Sequence, residues 1–323
     1  MSKSGGVLIV GAGWIGRQVG LRMALCGIEV HLVDRAPAVC QAAEAWMQSV
    51  AESYQSAIAA DLANARTGNP TGAPATLPDA SGQANGASRW PDITHASMST
   101  WRSRMQFHQG LESVPEELTV VLECVPEQIT LKRRVLREIS QRFPPPVIMA
   151  SNSSYFTPTT LAQFVRAPER FAHWHFHVPL HHASIVDIVG TPQTEAWVLD
   201  TLEQLTLDMV QSPLRLRREH PGYVFNWLLQ SLLRSALELA AHDVADIQDI
   251  DRAWRTVTGM PLGPFAMMDN IGLDVIEQVL ANARWHDAPP VPIEQLLAIL
   301  REPIEQGRLG VKSGQGFYDH RQQ

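Results

Sequence analysis

Residues 7–16, with the sequence VLIVGAGWIG, constrain the fold of this chain more than any other stretch. Val7 to Val10 form a short apolar run with β-branched residues, typical of a buried strand, and a helix-periodic stretch follows the glycines. Gly11 permits a tight turn, Gly13 lets backbone amides approach a pyrophosphate, and Gly16 allows close packing of the helix. The stretch therefore predicts the strand, turn and helix that open a dinucleotide-binding βαβ unit.

The second predicted strand ends at Asp34, eighteen residues past Gly16. A carboxylate at this place accepts hydrogen bonds from the ribose hydroxyls of the adenosine half, and its charge repels a 2′-phosphate. The sequence therefore favours NAD over NADP as the cofactor, although Arg35 offers a cation that can pair with a phosphate. The predicted cofactor contacts in this part of the chain are Gly11, Gly13, Trp14, Ile15, Gly16 and Asp34.

Strand-like and helix-like segments alternate over residues 1–215. This alternation predicts an α/β fold, a Rossmann-type, doubly wound and mostly parallel sheet with helices on both faces. Residues 65–100 are expected to form an irregular excursion, because a segment rich in small polar residues, prolines and glycines buries little apolar surface. From Tyr223 onward the pattern is almost wholly helical, which predicts an all-α second domain over residues 216–323. The predicted strands are 7–10, 28–33, 119–124, 147–150, 171–176 and 184–189, and the predicted helices are 14–26, 37–62, 128–141, 158–165, 195–209, 223–242, 247–257, 265–282 and 292–301.

The composition argues against several classes of partner. The chain has 323 residues, 45% of them hydrophobic, and a formal net charge of -7, so neither nucleic acid nor an anionic membrane surface is expected as a partner. No run of 18 apolar residues exists, and no membrane-spanning or secretory segment is expected. The three cysteines are widely spaced and form no CxxC pair, which argues against a disulfide framework and predicts a cytoplasmic protein.

Residues 173–182, HWHFHVPLHH, place five histidines in ten positions. In a strand, His173, His175 and His177 point to one side, which suits a metal site completed by His181 or His182. The same pattern fits a polar strand end with solvated histidines, or a setting for one catalytic imidazole. If one imidazole is catalytic, His177 is the first candidate for a second role.

Several segments together resemble the 3-hydroxyacyl-CoA dehydrogenase family. They occur in the family's order and leave out little except residues 65–100: VGAGWIG, VLECVPEQITLKRRVLREI, ASNSSYFTPTTLA, PERFAHWHFHVPLHHASIVDIVG, HPGYVFNWLL, IQDIDRAWRTVTGMPLGPFAMMDNIGLDV and GRLGVKSGQGFYDH. The resemblance implies an NAD domain, a helical second domain that forms a homodimer, and a cleft between the domains. It also implies hydride transfer between NAD and the carbon that bears the 3-hydroxyl group of an (S)-3-hydroxyacyl substrate.

The resemblance also assigns roles to single residues. The catalytic histidine of the family's HFFNP motif falls on His175, and the acid that orients it falls on Asp187 in IVDIV. Ser154 after the SN pair and Asn226 in the PGF-type motif are implied to hold the substrate oxygen. The implied cofactor contacts beyond the glycine turn are Glu127, Lys132, Ser154 and Lys312, and no metal is implied.

The chemistry suits these residue types. Oxidation of a secondary alcohol needs a group that removes the hydroxyl proton while hydride leaves. The unperturbed pKa of histidine, about 6.5, lets it hold or release a proton near neutrality. A carboxylate on the next strand fixes the tautomer of the imidazole and stabilises the imidazolium.

Two departures from the family pattern bear on the substrate. Asp187 is one methylene shorter than the family's glutamate, so the pair is expected to close differently or through water, and Val178 replaces the asparagine of HFFNP. Residues 65–100 stand where the family grips coenzyme A, yet they contain no lysine and only two arginines, Arg66 and Arg89. The small-molecule substrate is therefore a CoA thioester or a free 3-hydroxy, 3-oxo or diketo acid. A non-catalytic NAD-binding protein is the alternative from another class.

Overall fold

The computed structural model describes residues 5–67, 95–178, 180, 185–282 and 291–321. The chain forms two compact units, one ending at Tyr223 and the other beginning at Val224. The division lies eight residues later than the one expected after residue 215, because the segment that follows stays attached to the first unit. The amide of Leu216 donates to the carbonyl of Ile188 at 2.9 Å, and Glu219 accepts from the amide of Thr159 at 2.8 Å.

The first unit is built on one sheet of eight strands in the order β3-β2-β1-β4-β5-β6-β7-β8. All neighbouring strands are parallel except β6 and β7, which confirms the predicted Rossmann-type, mostly parallel sheet. The strands are β1 Gly6–Val10, β2 Val30–Val33, β3 Met105–His108, β4 Leu118–Glu123, β5 Ile148–Ser151, β6 Phe171–Phe176, β7 Ile185–Gly190 and β8 Ser212–Arg215. The two outer strands β3 and β8 were not predicted, because MQFH and SPLR are short, half-exposed and polar.

Strand β1 shows why the central strands are apolar without alternation. Val7 and Ile9 pack into the core on one face of the sheet, and Leu8 and Val10 pack into the core on the other. Helices cover both faces, so every position of such a strand is buried. Each fully buried aliphatic side chain of this size contributes about 1.5–3 kcal/mol to folding.

The helices of the first unit are α1 Trp14–Leu25, α2 Pro37–Thr67, α3 His95–Thr100, α4 Ile129–Arg142, α5 Pro158–Ala162 and α6 Ala196–Asp208. Helix α2 reaches five residues beyond its predicted end at residue 62, and α3 occupies the end of the predicted excursion. Helix α3 and the 3-10 turn after it are ordered by Met98 and Trp101, whose side chains are buried in the core. The irregular part of residues 65–100 is thus shorter than expected, and residues 68–94 lie outside the described residues.

The second unit is helical, as predicted, with α7 Phe225–Ala241, α8 Ile247–Thr258, α9 Pro264–Ile271, α10 Leu273–Asn282 and α11 Ile293–Glu305. The single helix predicted over residues 265–282 is divided at Gly272, whose φ of 104° no helix accommodates. None of the described helices combines the length and apolar character that a bilayer crossing requires.

Candidate active site

The predicted site residues of the first unit lie along one edge of its sheet. Strands β2, β1, β4, β5 and β6 run parallel, so their carboxyl ends share that edge. The strand order reverses direction between β1 and β4, the place where open α/β sheets bind dinucleotides. In the order of these strands, the edge carries Asp34, Gly11, Glu127, Ser154 and His175.

The glycine turn fits a pyrophosphate. Gly11 adopts a φ of 111°, and a Cβ atom on Gly16 would lie 1.9 Å from the carbonyl oxygen of Gly11. A Cβ on Gly13 would meet no heavy atom within 4 Å, so the space in front of this residue is open. Gly13 is the N-cap of α1 and no side chain caps the helix, so the amides of the first turn, which includes Trp14 and Ile15, can bind an anion.

Asp34 stands at a cavity of about 420 Å³ that it shares with Gly11, Gly110, Val125 and Leu131. Its two carboxylate oxygens each accept one backbone amide, from Ala12 and Ala36, both at 3.0 Å. A carboxylate oxygen has two lone pairs, so both oxygens can still accept a ribose hydroxyl.

Arg35 forms an ion pair with Glu138 at 2.5 Å, so the one cation beside Asp34 that the sequence offered to a 2′-phosphate already has an acid partner. This geometry fits NAD better than NADP.

His175 and Asp187 form the centre of the site. They are direct partners in the antiparallel pairing of β6 and β7, and His175 Nδ1 lies 3.0 Å from Asp187 Oδ2. Residues directly opposite each other have Cβ atoms about 4.5–5.5 Å apart, so a short aspartate reaches the ring without a bridging water. The shorter acid therefore closes the pair directly.

The hydrogen bonds define the state of the His175 ring. An ionised carboxylate only accepts, so Nδ1 carries the proton and Nε2 keeps its lone pair. Ser154 Oγ lies 2.9 Å from that Nε2 and donates to it. Burial lowers the pKa of His175, and the hydrogen bond to Asp187 opposes this only in part. Burial raises the pKa of Asp187, but hydrogen bonds from His175 and His177 outweigh it, so the net shift is downward.

His177 is a second imidazole on the same acid. Its Nε2 lies 2.8 Å from the Oδ2 atom that also accepts from His175. His175, His177 and Asp187 thereby bring nitrogen and oxygen atoms within 4.8 Å of one another. His173 does not join them, because its Nδ1 lies 2.8 Å from the hydroxyl of Tyr223. His181 and His182 lie outside the described residues. Among the described residues, only two of the histidines predicted for a metal site, His175 and His177, converge on one point.

Tyr223 is a site residue that the sequence reasoning missed. Its ring stacks on His175 with 4.4 Å between centroids and 18° between planes. Its hydroxyl donates to the carbonyl of Ser153 at 2.5 Å and accepts from His173. The only signal was its place in HPGYVF, from which Asn226 was selected instead.

Glu127 and Lys132 support the loop that carries Ser154. The buried ammonium of Lys132 contacts Glu123 at 2.9 Å and Glu127 at 3.1 Å. Burial lowers the pKa of Lys132, but attraction to these two carboxylates outweighs it and the net shift is upward. Glu127 in turn accepts the hydroxyl of Ser153 and the amide of Tyr155. Direct contact of Glu127 and Lys132 with a cofactor stays a prediction.

Two predicted residues belong to the second unit. Lys312 pairs with Asp274 at 2.5 Å, and Asn226 lies in the first turn of α7. Nothing in the described geometry of that unit tests a role for either side chain in binding NAD or substrate.

Comparison with known proteins agrees with this architecture. Residues 6–71 and 73–219 match the description "3-hydroxyacyl-CoA dehydrogenase, NAD binding domain", and residues 222–320 match "3-hydroxyacyl-CoA dehydrogenase, C-terminal domain". These two matches take in most of the chain, and the first of them confirms NAD as the cofactor.

Single relatives agree with the domain matches. Mitochondrial hydroxyacyl-coenzyme A dehydrogenase of Rattus norvegicus is 30% identical over 210 residues, which is 65% of this chain and 66%, just under two thirds, of that protein. The 5-formyl-3-hydroxy-2-methylpyridine 4-carboxylate 5-dehydrogenase of Mesorhizobium japonicum is 25% identical over 97% of this chain and 89% of its own. A solved diketoreductase, studied for dual catalysis of dicarbonyl compounds, is 25% identical with a TM-score of 0.81 and covers 99% of this chain and 100% of its own. From its sheet, its glycine turn and both domain matches, the chain belongs to the 3-hydroxyacyl-CoA dehydrogenase family, whose members are NAD-dependent oxidoreductases.

Proposed function

We propose that this chain interconverts a 3-hydroxyacyl and a 3-oxoacyl compound by NAD-dependent hydride transfer, with preference for the (S)-alcohol. The observation that supports the proposal most is the hydrogen-bonded row Asp187, His175 and Ser154. This row lies on the same sheet edge as the glycine turn and Asp34. A base with a fixed tautomer beside a dinucleotide site is what oxidation of an alcohol requires.

In the oxidation, His175 Nε2 takes the proton of the substrate hydroxyl. Asp187 holds the Nδ1 proton and stabilises the imidazolium that forms. Ser154 holds the substrate oxygen, the same role for Asn226 stays a prediction from the family resemblance, and in reduction the imidazolium returns its proton to the carbonyl oxygen. Bound NAD supplies the hydride acceptor.

The experiment is a substrate panel. NADH consumption is measured with acetoacetyl-CoA and with free 3-oxo and diketo acids, for the wild type, His175→Asn and the exposed control His242→Asn. Loss of general acid–base catalysis lowers kcat by about 10²–10⁴-fold. We expect this loss for His175→Asn, with unchanged NADH affinity and an unaffected control. If NADH binds, nothing in the panel is reduced and His175→Asn changes nothing, the chain is a non-catalytic dinucleotide-binding protein.

A second candidate is a reductase of free 3-oxo or diketo acids on the same scaffold. Val178 favours it, because an apolar side chain packed against the core stands where the family motif has an amide. Similarity to the diketoreductase over the whole chain, and the shortage of cations in residues 65–100, also favour it. A higher kcat/KM for free acids than for thioesters in the same panel decides for this candidate.

We also propose a homodimer. The described part of the second unit exposes large apolar side chains, with Phe225 at 56% and Leu228 at 63% on α7. Light scattering after size exclusion should give twice the mass of 35.8 kDa, and a monomer at micromolar concentration contradicts the proposal. Residence in the cytoplasm stays a prediction from the three cysteines, which are free in the structure.

A further inference from the structure

The feature beyond the proposed reaction is that one carboxylate oxygen serves two imidazoles. Asp187 Oδ2 accepts from His175 Nδ1 at 3.0 Å and from His177 Nε2 at 2.8 Å. The other oxygen, Oδ1, is buried and has no hydrogen-bond partner among the described residues. Both imidazoles therefore bond to the same oxygen of Asp187, and each hydrogen bond weakens the other.

The two rings are arranged for different exposure. His175 is almost fully buried, whereas the side chain of His177 is 13% exposed. Their ring centroids lie 4.8 Å apart with the planes at 84°. Because the carboxylate only accepts, the shared oxygen requires His177 to carry its proton on Nε2 and His175 to carry its proton on Nδ1.

Within the described residues, the titratable groups that face His175 come from every element packed against it. They are His173 on β6, His177 directly after β6, Asp187 on β7, Glu127 after β4 and Tyr223 after β8. Of these, His177 is the one that competes with His175 for the same oxygen of Asp187.

We propose that His177 is a positioning residue for the proposed reaction. His177 occupies one of the two lone pairs of Asp187 Oδ2, and this keeps Nε2 of His175 unprotonated and ready to accept the substrate proton. The inference rests on the proposed function, since it concerns the base of that reaction. Removal of His177 leaves the carboxylate to His175 alone and stabilises the imidazolium. His175 in such a variant holds its proton more tightly.

The kinetic test is the pH profile of kcat/KM for alcohol oxidation between about pH 5 and pH 9. In His177→Phe, which keeps a flat ring without a donor, the acidic limb should move upward by about half a unit to one unit. In His177→Gln, whose amide can still donate to Asp187, the shift should be smaller. His242→Gln on the surface should leave the profile unchanged. A profile of His177→Phe that superimposes on the wild type, or that moves to lower pH, overturns the proposal.

A second measurement needs neither turnover nor a variant. Nitrogen-15 chemical shifts of the histidines in the intact wild-type chain report the tautomer of each ring. We expect Nε2–H for His177 and Nδ1–H for His175 at neutral pH. A proton on Nδ1 of His177, or stoichiometric metal retained after purification without a histidine tag, overturns the shared carboxylate. Neither result depends on turnover of a substrate. Failure of this inference is therefore distinguishable from failure of the proposed reaction.

Discussion

At the scale of single residues, the imidazole of His175 is held from three directions. Asp187 binds one ring nitrogen, Ser154 binds the other, and the ring of Tyr223 stacks on one face. The Tyr223 hydroxyl then connects His173 to the carbonyl of Ser153, next to Ser154. A single side chain thereby fixes both the ring of the proposed base and the loop that faces it.

Tyr223→Phe tests this arrangement because it keeps the stacked ring and removes the hydroxyl. The buried Nδ1–H of His173 then loses its acceptor, and the carbonyl of Ser153 loses its donor. Leaving one such group unsatisfied costs about 1–3 kcal/mol. We expect the free energy of unfolding in urea to fall by at least this amount, because two groups lose their partner, and kcat to fall with it, since Ser154 is less well placed.

The matched variant for Tyr223 is Tyr223→Leu, which also removes the stacked ring. An aromatic pair contributes about 0.5–1.5 kcal/mol beyond the area it buries, so this variant should be less stable than Tyr223→Phe. NADH affinity should stay constant in both variants. Equal stability and kcat in Tyr223→Phe and the wild type contradict the role given to the hydroxyl.

The sequence could place some site residues and not others, for a physical reason. His175 and Asp187 lie on two consecutive predicted strands, so the pair could be expected once those strands adjoin, and the register of β6 and β7 places the two residues directly opposite each other. Tyr223 approaches the same ring only because the chain returns after β8, a strand that the sequence did not reveal. The burial of Lys132 depends on Glu123 at the end of β4 and on Glu127 in the loop after it, and the sequence alone does not show that these two acids converge on one lysine.

At the scale of elements, the central strands were predictable and the outer ones were not. Strands β1, β2, β4, β5 and β6 are buried on both faces, and burial leaves mostly apolar runs in the sequence, interrupted by His31 in β2 and by His173 and His175 in β6. Strand β8 contains Pro213, which an edge strand tolerates but a pattern search rejects. The division of α9 from α10 depends on the positive φ of Gly272, which leaves no trace in the hydrophobic periodicity.

The turn between β1 and α1 supports a paired prediction on two glycines. Gly16→Ala places a Cβ 1.9 Å from a backbone oxygen, so β1 and α1 must separate. Gly13→Ala meets nothing within 4 Å, so the fold tolerates it, but the new methyl group occupies the space in front of the amides. We expect Gly16→Ala to lower Tm and weaken NADH binding, and Gly13→Ala to weaken NADH binding with Tm unchanged.

Calorimetry and a fluorescence titration with NADH separate the two effects. A Tm for Gly16→Ala equal to that of the wild type shows that the close approach of strand and helix is not needed for stability. Wild-type NADH affinity in Gly13→Ala shows that the pyrophosphate does not use this turn.

At the scale of the whole molecule, the first unit buries histidines in their neutral form. His31, His173 and His175 are all at most 3% exposed, and burial lowers the pKa of each, most strongly that of His173. In the unfolded chain the pKa of histidine is about 6.5. Between the lowered folded values and 6.5, the unfolded state binds more protons than the folded state. Stability therefore rises with pH through this window, and it falls as the solution is acidified from about pH 6.5 toward the lowered folded values.

The expected slope is measurable. A histidine that stays neutral in the folded state while the unfolded chain is protonated costs about 1 kcal/mol of stability between pH 6 and pH 5. Urea titrations at pH 7.5, 6 and 5 should show the wild type losing at least this much, from His173 alone. His173→Gln should have a shallower slope whatever its stability at pH 7.5, because one group that titrates only in the unfolded state is gone.

His242→Gln, at an exposed position, should keep the wild-type slope. Stability that is flat or increasing from pH 6 to pH 5 contradicts the neutral buried histidines. The lowered pKa of Asp187 does not interfere with the test, because its stabilisation is lost only as the pH falls below about 4.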